Sequence, residues 1–75
     1  MYVQYESDKE KNTTLQIFDI SGRLVRNIDR ELNDGVNLLK IETFDLGTGL
    51  YVLKIGQDVL RFQKNVIFLL KILRG

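Results

Sequence analysis

Residue types that carry chemistry are scarce in this 75-residue chain. It has no histidine and no cysteine, which removes the commonest general base, the strongest side-chain nucleophile and any thiolate metal site. Its serines, Ser7 and Ser21, stand in a charged stretch and beside a glycine, and neither has an activating partner in its neighbourhood. A carboxylate pair for glycoside hydrolysis could in principle be drawn from the ten acids, but these cluster in turn-like stretches where acids face water. A domain this short also cannot hold both a deep cleft and a core. Asp29, Glu31 and Asp34 do not have the spacing of a calcium loop. Gly47-Thr48-Gly49 leads into an apolar, strand-like run, whereas a phosphate cradle leads into a helix N-terminus. Asn12-Thr13-Thr14 fits the glycosylation acceptor pattern, which is common by chance. The expectation is therefore no enzyme, no catalytic, cofactor or metal site, and a function that lies in a surface.

That surface must be positioned by a small fold. Eleven Lys and Arg balance ten Asp and Glu for a net charge of +1, and the basic residues are scattered from Lys9 to Arg74. No stripe follows a phosphate backbone, so nucleic acid is not an expected partner. Met1 to Asn12 is charged and lacks the apolar run of a signal peptide. The longest apolar run, Val66 to Leu70, stops at Lys71, far short of the roughly 20 residues of a spanning helix. Without cysteine, stability must come from apolar burial and strand pairing, for which a 44% hydrophobic composition suffices. One domain over residues 1–75 is expected.

Short runs rich in Val, Ile, Leu, Phe and Tyr, with period-two character and glycine-bearing turns between them, predict an all-β antiparallel sandwich of about six to seven strands. The first runs from Tyr2 to Glu6, followed by a charged loop from Ser7 to Asn12. Thr14 to Ile20 is apolar on both faces, as a central or covered strand would be. Ser21-Gly22 then reads as a hairpin turn into Arg23–Ile28, and Asp29 to Asn33 as a polar connection to the corner Asp34-Gly35. Val36–Glu42 restarts the sheet, with Asn37, Leu39 and Ile41 on one face. Leu50–Ile55 is the strongest strand, with Tyr51, Leu53 and Ile55 inward, and Gly56-Gln57-Asp58 turns it into Val59–Lys64. Val66–Leu70 is read as the last strand. Phe62, Val66, Leu69 and Leu73 fall near helical spacing, but the β-branched and aromatic Val66-Ile67-Phe68 and the missing cap favour a strand.

The order of these motifs carries more than each alone. Leu15–Val25 with its Asp19-x-x-Gly22-Arg23 turn, then Gly35, then Leu46-Gly47-Thr48-Gly49-Leu50-Tyr51, then Lys64-Asn65-Val66 resembles the type A C-terminal sorting domain of the type IX secretion system, over roughly residues 14 to 70. The resemblance implies an immunoglobulin-like sandwich that closes a longer secreted protein, so the chain is expected to be preceded by a cargo domain. It also implies passage through the periplasm, recognition by the outer-membrane secretion machinery, and in many cases cleavage by a sorting peptidase at the cell surface. Carried over by position, Gly22, Gly49, Tyr51, Lys64 and Val66 are the expected recognition motif. Lys64, a charge beside an apolar terminal strand, has no packing reason to be there on sequence grounds alone. The exposed last strand is suited to edge-to-edge pairing with a second copy. The alternative is a non-catalytic Ig-like accessory or adhesion module. A glycan-binding version would display aromatics as a platform, whereas most aromatics here sit in strand patterns, and the related flagellar hook-capping domain carries a tryptophan that this chain lacks.

Overall fold

A computed structural model describes residues 1–64 of the chain. Six strands follow one another: β1 (Tyr2–Ser7), β2 (Lys11–Asp19), β3 (Leu24–Leu32), β4 (Gly35–Lys40), β5 (Gly49–Ile55) and β6 (Asp58–Lys64). β1 pairs with β4 in a two-stranded sheet, and the order β3-β2-β5-β6 makes a four-stranded one. Every pairing is antiparallel. The all-β sandwich expected from the turn spacing is the fold observed.

Alternation decides which side chains meet between the sheets, because successive residues of a strand point to opposite faces. Val3, Leu39 and Ile41 come from the small sheet, while Leu15, Ile17, Leu32, Tyr51, Leu53 and Ile55 come from the large one, and together they form the buried core. Complete burial of side chains such as Leu15, Ile17 and Leu53 stabilises by about 1.5–3 kcal/mol each, the term that a cysteine-free small domain depends on.

Two readings of the sequence change. β2 begins at Lys11, so the charged connection after β1 is shorter than expected, and β2 ends at Asp19, which leaves Ile20 in the turn. The polar stretch after Ile28 is strand: β3 continues to Leu32, which is fully buried. Inward residues Ile28, Arg30 and Leu32 keep the period of two. The pattern was obscured because Arg30 occupies an inward position and sends its guanidinium to the Lys40 carbonyl at 3.1 Å. Asp29 and Glu31 accordingly lie side by side on the outer face of a strand, and no metal-holding group of acids exists among the described residues.

Asn37 ties the crossover between sheets. Its buried amide accepts from the Asn33 N–H (2.8 Å) and donates to the carbonyls of Asn33, Gly35 and Tyr5. The proposed last strand, Val66–Leu70, lies outside the described residues.

Candidate functional site

Strand directions place every connection at one of two ends. The first end carries residues 8–10, 33–34 and the two-residue turn Gly56-Gln57. The second carries the turn between β2 and β3, the 41–48 connection, and the point where the chain leaves β6. The pairings Asp19↔Tyr51 and Gly49↔Lys64 bring the motif residues Gly22, Gly49, Tyr51 and Lys64 to this second end. Val66 lies outside the described residues.

Each of these residues has a local reason for its place. Asp19 organises the β2–β3 turn. Its N–H donates to the Arg23 carbonyl and its carbonyl accepts from the Gly22 N–H, both at 2.9 Å. Asp19 Oδ1 accepts from the Ser21 N–H, the Ser21 hydroxyl and the Arg23 N–H, and Oδ2 accepts from Arg23 Nε at 3.2 Å. These donors, the Ser21 hydroxyl foremost, hold the Asp19 carboxyl below the usual carboxylate range. Gly22 takes φ +88°, a left-handed conformation that costs other residues about 1–2 kcal/mol. The loop holds four residues, Ile20 to Arg23, in place of the two expected, and Val25 is left as the extra residue where β3 resumes pairing.

Tyr51 is buried, stacks on Phe62 with ring centroids 5.5 Å apart, and donates its hydroxyl to the Gly47 carbonyl at 2.7 Å. The ring belongs to the core and the hydroxyl fixes the loop leading into its own strand, as the tyrosine corner of immunoglobulin-type sandwiches does. The Lys64 ammonium donates to the Thr43 carbonyl. Arg26 works from the opposite edge of the sheet, donating to the Glu42 carbonyl at 3.0 Å and to the Asp45 carboxylate. That guanidinium bond lowers the Asp45 pKa. Lys64 therefore does have a structural partner, which its sequence neighbours do not reveal.

The 41–48 connection is thus pinned from β3, β5 and β6. At its tip Phe44 is 79% exposed, and Ile20 in the neighbouring turn is equally exposed. A groove of about 660 Å³ opens beside this end, lined by Phe18, Ile20, Gly22, Leu50, Val52 and Arg61 among others. Sequence reasoning passed over Ile20, Arg26, Phe44 and Asp45 as site residues. Only Asp19 had a readable signal, as the favoured first residue of a turn closed by glycine.

This convergence is what a shared family pattern predicts, and a family comparison decides it: the model described as secretion system C-terminal sorting domain matches residues 1–69. The chain belongs to that family. The match takes in β1, which the sequence resemblance had left outside. No curated protein and no solved structure matches the chain significantly. As a member, this sorting domain is a C-terminal signal for type IX secretion, which carries proteins across the outer membrane to the cell surface or beyond. Such a domain works with the secretion machinery on a cargo that precedes it. The family is one of signals, and no step of chemistry is assigned to it.

Proposed function

We propose that residues 1–75 act as a single sorting domain that folds in the periplasm, is recognised there by the outer-membrane translocon, and is removed by a sorting peptidase at the cell surface. The observation that carries this reading is the convergence of Gly22, Gly49, Tyr51 and Lys64 on one end of a sandwich whose sequence matches the sorting family over residues 1–69. In this reading Gly22, Tyr51 and Lys64 build the recognised end, Gly49 opens the strand that carries Tyr51, and Val66 extends the signal beyond the described strands. Edge-to-edge pairing of two copies is a further property we assign to the region after Lys64.

Fusing the chain to a periplasmic reporter in a host with this secretion system tests the proposal. Surface delivery and release of a fragment the size of the sorting domain are expected. A fusion that stays intact in the periplasm, while an established sorting domain exports the same reporter, would overturn it.

A further inference from the structure

The two outer faces of the sandwich arrange their apolar side chains differently. On the small sheet the outward pairs are Tyr2 with Lys40, Gln4 with Leu38 and Glu6 with Val36, so each apolar side chain stands opposite a polar one. On the large sheet the pairings Leu24↔Phe18, Phe18↔Val52 and Val52↔Arg61 set Leu24, Phe18 and Val52 in one row across β3, β2 and β5, ending at Arg61 on β6. Directly paired side chains on one face stand about 4.5–5.5 Å apart, so this row is contiguous. Ile20 and Leu50 extend it, and the groove of about 660 Å³ lies along it. No third layer covers this face among the described residues.

The chain itself supplies an occupant at the rim. β6 ends at Lys64, opposite Gly49 and one residue past Gln63, which lines the groove. Residues 65–75, outside the described region, read Asn-Val-Ile-Phe-Leu-Leu-Lys-Ile-Leu-Arg-Gly, an apolar run followed by Lys71 and Arg74 with no acid among them. A tethered segment meets its site at a far higher effective concentration than a free partner does. Charge gives the direction of its course. Asp29 and Glu31 lie on this same outer face at the β3 edge, and neither belongs to the ion pairs among the described residues, Asp19–Arg23, Arg26–Asp45 and Lys40–Glu42. By register, Asp29 is three strands across and seven residue steps along from Lys64, about 28 Å at ~4.8 Å per strand and ~3.4 Å per residue. Extended from Lys64, the backbone reaches about 24 Å at Lys71 and about 34 Å at Arg74. A diagonal course therefore brings the cations of this segment to the acids and away from Arg61.

We infer that residues 66–74 fold back from the end of β6 and lie diagonally across the outer face of the large sheet, with Val66–Leu70 in the groove and Lys71 and Arg74 beside Asp29 and Glu31. This docking does not depend on the sorting reading. Edge-to-edge pairing of two copies, assigned above to the same region, competes with it and is favoured by rising concentration.

The test uses the full chain. It has no cysteine, so Gly75→Cys carries a single nitroxide label without altering the docked residues. Amide signals of Thr14 and Asp29 should be lost most strongly, with those of β1 on the other sheet retained. Val52→Lys, which puts a charge in the middle of the row, should lower the ratio of docked to free segment about tenfold or more and restore the signals. Should Val52→Lys unfold the domain, Leu24→Lys, at an exposed edge-strand position, carries the same expectation. Asp29→Asn with Glu31→Gln should lower the ratio by up to about fivefold for each exposed ion pair removed. No signal loss, loss spread evenly over both sheets, or loss that survives both lysine variants overturns the inference. So does signal loss in a mixture of nitroxide-bearing chains with isotope-labelled, nitroxide-free ones, since the occupant would then be a second copy.

Discussion

The end of this sandwich whose connections are residues 8–10, 33–34 and 56–57, the polar end, and the end whose connections are residues 20–23 and 41–48, with Ile20 and Phe44 exposed, the apolar end, are built from the same parts, yet they solve different problems. At the polar end each connection needs only to reverse the chain. Asn37 bonds the backbone of the crossover, Ser7 donates to the Lys9 carbonyl, and the connections themselves, residues 8–10, 33–34 and 56–57, carry only polar side chains or glycine. At the apolar end, acids and cations are bonded to one another and to carbonyls, while Ile20 and Phe44 are left in water. A protein that violates the ordinary polarity of loops at one end only, and stiffens that end while doing so, marks the end where something other than folding is served.

The first way to break this comparison is to remove what both functions share. Tyr51→Ala deletes a core ring, its stack on Phe62 and the bond to Gly47, and should cost about 3–5 kcal/mol, read as a fall in urea midpoint. Tyr51→Phe keeps the ring and should cost only about 1 kcal/mol. At the polar end, Asn37→Ala leaves several backbone groups of the crossover without partners and should cost about 2–3 kcal/mol, while export by the surviving folded fraction stays normal. A smaller loss, about 1–2 kcal/mol, is expected for Gly22→Ala, set by φ +88° alone, since nothing lies within 4 Å of the added carbon.

How much of this was legible in sequence depends on the distance over which each interaction acts. β1, β5 and the inward set Tyr51, Leu53 and Ile55 followed from alternation, and the corner at Asp34-Gly35 from turn chemistry. The extent of β3 was hidden because Arg30 takes an inward place by reaching Lys40 on the other sheet. Two of the three pins of the 41–48 connection, Arg26 to Glu42 and Lys64 to Thr43, act over 16 and 21 positions in sequence, so no local pattern announces them. Ile20 looked like strand because its neighbours were, and only the closure of the turn at Asp19 turns it outward.

The smallest effect separates the ends by pH. Asp19 and Asp45 have lowered carboxyl pKa values, so the stability they contribute to the apolar end is present above the ordinary value of about 3.9 and is lost as pH falls through their folded values. Tyr5, at the polar end, donates to the Asp58 carboxylate, a bond that raises its phenol pKa. Its contribution is present below about 10 and is lost as pH rises through the folded value. Amide exchange should therefore quicken first around Ser21–Arg23 in acid and first around Tyr5 and Asp58 in alkali. The reverse order would contradict the assignment of these bonds.

The most direct test of the central claim, that the apolar end is the end that is read, is photo-crosslinking in exporting cells with a photoreactive aromatic placed at Phe44 or at Gln57. Crosslinks from position 44 to an outer-membrane component of the secretion machinery, with none from position 57, are the predicted result. Crosslinks from position 57 with none from position 44 would contradict it.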